Sequence, residues 1–291
     1  MIDKYTNSKM ATSSSMDLEI DCIIKLGGSA VTFKEKFETP NMEAIRQAAI
    51  LIAKIKKKCI IVHGAGSFGH FQAKEYGVAK GWNGQADIDL VRKGFAITRV
   101  SVLKLNQLIV EELVNHGLPA VSYSCIGSWQ TDNRKVLKSD VDSISSLIEA
   151  GFIPVINGDC MLDRSLGCTI LSGDTIIEEL AEKLKPKRVI FLTDVAGIFD
   201  KSPEEKGAIL LSRVMVSASG ELQTSIATST LTHDVTGGVA KKLQTAQAIV
   251  TKSMGRTPVI VCKLDSKDAE LVCCCGNEDY IGTLICLSPT S

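Results

Sequence analysis

The 291-residue sequence predicts an α/β fold in which helices cover both faces of a parallel sheet. Two observations carry that reading. Short apolar runs alternate with stretches of three- and four-residue apolar spacing, the pattern of strands followed by helices. Glycines, lysines and carboxylates gather just past the ends of those runs, where an open α/β sheet binds its ligands. No internal repeat and no linker interrupts the order. One domain with two lobes, about 19–170 and 171–291, is expected behind a disordered tail over 1–18.

The first strand, Cys22–Leu26, carries a single charge, Lys25, and runs into Gly27-Gly28-Ser29. Thr39-Pro40 is expected to open a helix through Met42, Ile45, Ala49, Ile52 and Ile55, ending in the solvated cations Lys56–Lys58. Ile60, Ile61 and Val62 form a buried strand that turns abruptly into Gly64-Ala65-Gly66-Ser67 and ends on Gly69-His70. After a glycine-interrupted stretch, Tyr76–Gly84, one long helical pattern spans Asp87–His116, with Gly94 expected to weaken or bend it. Gly117-Leu118-Pro119 ends it.

Ala120–Cys125 reads as a strand, Val141–Ala150 as a helix, and Phe152–Ile156 as a strand ending in Asn157-Gly158-Asp159. Met161–Leu171 reads as a hairpin turning at Asp163–Gly167. Ser172-Gly173 begins a helix over Asp174–Leu184, and the buried strand Arg188–Leu192 leads to Thr193-Asp194 and Ala196-Gly197. Residues 200–236 are polar and weakly periodic, and are expected to cover a nucleotide. Gly237-Gly238 opens a helix over Val239–Met254, and Pro258–Leu264 and Ile281–Leu287 are late strands.

Composition removes several classes of function. Lys+Arg 33 balances Asp+Glu 33, so no basic excess points to nucleic acid or a membrane surface. No apolar run approaches the roughly 20 residues that span a bilayer. The opening MIDKYTNSKMATSSSM has neither the apolar centre of a signal peptide nor the arginines of a transit peptide. The ten cysteines lie mostly in apolar runs, without Cys-x-x-Cys or Cys/His zinc spacing. Cys273–Cys275, read as strand residues, would point to alternate faces. Reduced, buried thiols in a cytoplasmic protein are expected, and no metal site.

Gly27-Gly28-Ser29, Gly64–Ser67 and Gly237-Gly238 are glycine turns at strand ends or helix starts, and none has dinucleotide or P-loop spacing. Bare backbone N–H groups in such turns cradle anions. Lys25 and Lys242 beside two of them point to a polyphosphate substrate, as cations for a transferring phosphoryl group. His70 is placed to reach the same anion. His63 and His116 read as structural and helix-end residues, and His233 stays unassigned.

KLGGS at 25–29, HGAGSFGH at 63–70, SGD at 172–174, LTDVAGIF at 192–199 and TGGVAKK at 236–242 occur in the order of the amino acid kinase superfamily. The Ser-Phe-Gly-His ending of the second motif resembles the isopentenyl phosphate kinases within it. That resemblance covers roughly Cys22–Leu287 and implies a three-layer αβα sandwich with a largely parallel central sheet, assembled as a homodimer. It implies an acceptor lobe over 19–170, an ATP lobe over 171–291, and conversion of isopentenyl phosphate to the diphosphate by ATP, with Mg2+ carried by the nucleotide. The product would serve isoprenoid precursor biosynthesis.

By the same resemblance, Lys25 and the backbone of Gly27, Gly28 and Ser29 hold the transferring phosphate, and Lys34 is the transition-state lysine. Ala65 and Gly66 offer amides to acceptor and donor, His70 hydrogen-bonds the acceptor phosphate, and Gly158 faces it. Asp174 orients the lysines; Asp194, Gly197, Gly238 and Lys242 belong to the ATP side. The sequence departs from the family at Ala65, where a third glycine is common, which matters only if that turn position needs positive φ.

Three rivals remain. One is another small-molecule kinase of this fold, acting on a phosphonate, nucleotide or amino-acid acceptor. A carboxylate acceptor would want an arginine, and none lies near Gly64–His70 in sequence. A non-catalytic sensor of nucleotide or isoprenoid phosphate has no need of Lys25, Lys34, Asp174 and Lys242 together. An NAD oxidoreductase lacks its fingerprint.

Overall fold

The computed structural model describes residues 18–84, 86–223, 238–275 and 279–289. The expected tail, apart from Leu18, and the calls on His233 and Gly237 fall outside them.

Eight strands make the main sheet. At its centre β1 (Cys22–Leu26) pairs in parallel with β2 (Cys59–His63) on one side and β9 (Arg188–Thr193) on the other. Beyond β2 lie β6 (Ile153–Asn157) and β3 (Ala120–Tyr123), both parallel. Beyond β9 lie parallel β11 (Val259–Lys263), then β12 (Thr283–Leu287), antiparallel to it, and edge strand β10 (Arg213–Val216). The chain leaves β1 in both directions, so its carboxyl end sits at a topological switch point, where such sheets open a crevice.

Period-2 alternation sorts the strands between two cores. Cys22, Ile24 and Leu26 face α1 (Gly28–Val31), α2 (Met42–Ala53) and α4 (Ile88–Asn115). Ile23 faces α5 (Val141–Glu149), α6 (Gly173–Leu184) and α7 (Gly238–Lys252). Lys25, two residues on, shares the face of Ile23, with its ammonium 5.2 Å from the Phe191 ring centroid. The result is the expected αβα layering. The main sheet runs without a break through residues from both expected lobes.

A second, four-stranded sheet, β5-β4-β7-β8, stands beside this sandwich. β7 (Asp159–Asp163) and β8 (Gly167–Leu171) are the expected hairpin, while β4 (Gln130–Asp132) and β5 (Lys135–Lys138) form one that the hydrophobic pattern does not announce. Its turn uses Asn133 at φ 46° and Arg134 at φ 69°, a left-handed pair in which glycine is the usual second residue. The Asp163 carboxylate accepts from both turn amides, each at 2.9 Å. Strand β10 also lies within the 200–236 segment, read as polar and weakly periodic.

Two local expectations need correction. Asn41, not Thr39-Pro40, caps α2, its side chain accepting from the Ala44 amide at 3.2 Å. α4 runs on through Gly94, where the Tyr76 side chain occupies the space a Cβ would need. Cys273–Cys275 belong to a π-helical turn, not a strand, with Cys273 buried. Nine described cysteines lie outside any disulfide. Among the described residues, no helix is long and apolar enough to cross a membrane.

Candidate active site

Three strand ends are tied together before any side chain is considered. The Gly27 amide donates to Leu192 O of β9 at 2.9 Å, and the Gly64 amide donates to Leu26 O of β1 at 3.1 Å. The two turns that follow then press together. A Cβ on Gly28 would lie 2.7 Å from Gly66 N and 2.9 Å from Gly66 Cα. Gly66 carries the positive φ of its turn, 50°, whereas Ala65 sits at −73° in ordinary right-handed space. The alanine that departs from the family pattern is therefore unstrained.

Thr32 locks the contact, donating to Gly28 O at 2.7 Å while its oxygen accepts from Ser67 N at 3.0 Å. Residues 33–39, which carry Lys34, are pinned to the same turn. Glu38 N donates to Ser67 O at 3.3 Å, and Thr39 N to Ser67 Oγ at 3.2 Å. Among the described residues, the amides of Gly28 and Ser29 have no backbone acceptor.

Charged side chains converge above these turns. Lys25, 5% exposed, meets Asp174 of the first turn of α6 at 2.5 Å. Ser29 Oγ donates to Asp194 at 3.1 Å. Lys242 on α7 is buried; desolvation and then the positive charge of Lys25 push its pKa down, against the pull of Asp194 and Asp174. His70 is the first residue of α3 (His70–Glu75), and burial followed by the Lys34 charge lowers its pKa. Both causes favour the neutral imidazole.

These groups line one cleft of about 1060 Å³. From the lysines it runs one way to Asp194, Gly197 and the 200–204 segment, and the other way between α3, α4 and the β7–β8 hairpin.

Residues 22–263 match the model of the amino acid kinase family. The chain belongs to that family. Isopentenyl phosphate kinase of Arabidopsis thaliana is 37% identical, aligned over 81% of this chain and 86% of its own. The isopentenyl phosphate kinase of Thermoplasma acidophilum is 31% identical over 90% of this chain and 99% of its own. A crystal structure of the T. acidophilum enzyme as a product complex superimposes with a TM-score of 0.74 at 27% identity, covering 91% of this chain and 99% of that one. Within the amino acid kinase family, these relatives put the chain with the isopentenyl phosphate kinases.

The residues singled out from the family motifs other than Gly238 border the cleft; Gly238 opens α7. Gly158 donates its amide to His63 O at 3.0 Å, and a Cβ there would approach Gly173 N to 3.1 Å. Gly197 packs against Thr283, where a Cβ would come within 2.5 Å of Oγ1. His63 is structural: fully buried, its Nε2 lies 2.9 Å from Asn106 Oδ1 and its Nδ1 3.1 Å from Gly64 O. His116 ends α4, its Nδ1 2.8 Å from Glu112 O.

Other cleft residues of this family member escape the motif reading: Lys74, Lys80, Thr98 and Asp159. Asp159 directly follows Gly158, and Thr98 is a polar interruption on an apolar helix face; those are the available signals. An arginine also stands near the acceptor side, contributed by α4. Arg99 Nε lies 3.2 Å from Asp159 Oδ2 and its terminal nitrogen donates to Ser124 at 3.0 Å, so the guanidinium is already engaged. Burial raises the Asp159 pKa to about 6, with Arg99 working the other way.

Proposed function

We propose that the chain transfers the γ-phosphoryl group of MgATP to isopentenyl phosphate, giving isopentenyl diphosphate and ADP. The observation that carries this reading is the meeting of Lys25, Lys34, Lys242 and His70 around two interlocked glycine turns in one cleft. That arrangement offers cations and bare amides to two phosphates at once. Lys25, fixed by Asp174, and Lys242 neutralise charge on the transferring group, while Lys34 reaches it from the pinned 33–39 segment. Asp194 and Gly197 border the nucleotide side, where Mg2+ enters as part of the substrate.

The acceptor needs no strong base. The second pKa of a phosphate is about 6, so the attacking oxygen is already ionised at neutral pH. Alignment and charge neutralisation are what remain for the protein to supply. His70 holds the acceptor phosphate in this reading and takes no proton from it. The proposal extends to a cytoplasmic homodimer, in which cysteines outside any disulfide suit a reducing compartment; light scattering on the purified chain tests the dimer.

The test is turnover of MgATP with a panel of short alkyl phosphomonoesters and free carboxylic acids, with products identified by phosphorus NMR. Diphosphate from isopentenyl phosphate is the expected product. Phosphorylation of carboxylates alone overturns the reading, and nucleotide binding without turnover of any acceptor returns the chain to the sensor class.

A further inference from the structure

His63, the last residue of β2, roots the Gly64–Ser67 turn. Period-2 alternation sends its side chain toward α4, where it is completely buried. Its Nδ1 lies 3.1 Å from Gly64 O and its Nε2 2.9 Å from Asn106 Oδ1 on α4. The Gly64 carbonyl only accepts, so the bond to it requires a proton on Nδ1. Burial, the largest influence on the ring, favours its neutral form, which carries a single N–H. Nε2 is then an acceptor. Asn106 meets it by a half-turn of its amide, which exchanges oxygen and nitrogen in place. Its Nδ2 then donates to Nε2, and its oxygen accepts from the Ser122 hydroxyl, which lies 2.5 Å from the amide. Each bond in the series Ser122, Asn106, His63, Gly64 then has one donor and one acceptor.

The Gly64–Ala65 peptide is trans, so its N–H points opposite to its carbonyl. With the carbonyl tied to His63, the Ala65 amide points away from the ring. Ala65 borders the cleft, and among the described residues no backbone acceptor takes its proton. We infer that His63 is a positioning residue for phosphoryl transfer: its Nδ1–H holds the Gly64 carbonyl and thereby aims the Ala65 amide at the acceptor phosphate. The inference rests on the kinase reading and adds to it a group that never touches substrate. The main chain of His63 acts in the same sense, its carbonyl accepting from the Gly158 amide at 3.0 Å. Gly66 is held separately, by its contact with Gly28 and by Thr32 through the Ser67 amide. Loss of the His63 donor therefore frees one peptide on the acceptor side and leaves the ATP side in place.

The experiment has two parts, and the first needs no turnover. Long-range proton–nitrogen NMR spectra of the histidine-labelled chain, which holds four histidines, distinguish a protonated ring nitrogen from a bare one. His70→Ala, His116→Gln and His233→Gln, made one at a time, assign the His63 signals by difference. At pH 7.5 the expected His63 ring is neutral with its proton on Nδ1. A proton on Nε2 alone, or on both nitrogens, overturns the inference.

The second part uses two amide side chains, each mimicking one ring nitrogen. Gln reaches the place of Nε2 and drops the donor to Gly64, whereas Asn keeps a donor near the place of Nδ1. His63→Gln is expected to raise the KM for isopentenyl phosphate about 10-fold, with the ATP KM within about twofold of wild type. His63→Asn is expected to stay within about threefold of wild type for both. Equal rises of the two KM values in His63→Gln, no rise in either, or a His63→Asn no better than His63→Gln overturns the inference. If neither variant folds, the wild-type spectrum decides. The kinase reading fails separately, when the wild-type chain gives no diphosphate from isopentenyl phosphate; the His63 proton is still read from its spectrum.

Discussion

At the transfer end of the cleft, backbone is held against backbone, whereas at the tail end the walls are side chains brought in from α3, α4 and the β7–β8 hairpin. The first arrangement leaves no room for a side chain between the two turns. The second tolerates exchange, since a methyl lost from Val102 or Ile170 changes only the space available. A kinase that must place two phosphates in line needs the first kind of construction, and one whose acceptors vary in shape is served by the second. The difference predicts that substitutions at the two ends differ in what they change as well as in size.

Gly28→Ala breaks the backbone contact directly and has the largest expected effect. The new Cβ would lie 2.7 Å from Gly66 N, so the two turns must part and both sets of amides move. A displacement of about 1 Å costs on the order of 100-fold, and kcat is expected to fall at least that far for every acceptor. The melting temperature should fall with it. A variant that kept wild-type kcat would mean the turns are not held by their contact.

Asp174→Asn tests the charged layer above those turns. Lys25 and Asp174 are both largely buried, with side-chain exposures of 7% and 15%, and their ammonium–carboxylate contact is 2.5 Å. Removing one charge leaves Lys25 uncompensated among other cations. A drop in kcat of about 30- to 100-fold is expected, with the ATP KM changed less, because what is lost is the aim of a lysine at developing charge. Equal loss for isopentenyl phosphate and a shorter alkyl phosphate would separate this end from the tail end; unequal loss would join them.

The same contrast explains what could be read before the structure. The transfer end is written in short contiguous strings, because a strand end, a glycine turn and a lysine must lie next to each other in sequence. Lys25 with Gly27–Ser29, Gly64–His70 and Ser172–Asp174 were therefore legible, as were the buried strands preceding them. The tail end is assembled from Ala73, Thr98, Asp159 and Ile170, which come from four separate elements and carry no spacing rule. The β4–β5 hairpin escaped for a related reason. Its turn is set by two left-handed residues and by the carboxylate of Asp163, about thirty positions away, and local propensity records neither.

His70 stands where the two ends join, and the smallest of these effects sharpens the boundary. His70→Ala is expected to raise the acceptor KM about 10- to 30-fold, the loss of a charge-assisted hydrogen bond, while the ATP KM stays within about twofold. The pH dependence gives the sign. In the free protein, burial and the Lys34 charge hold the His70 pKa below its ordinary value. A bound phosphate dianion raises it, so binding takes up a proton and acceptor affinity rises as pH falls toward 6. Below about 6 the acceptor itself becomes a monoanion and the gain reverses. Acceptor KM measured from pH 8 to pH 6 should therefore fall in the wild type and lose that slope in His70→Ala. If acceptor and ATP KM rise together in the variant, His70 serves both phosphates, and the boundary between the two ends lies further along α3.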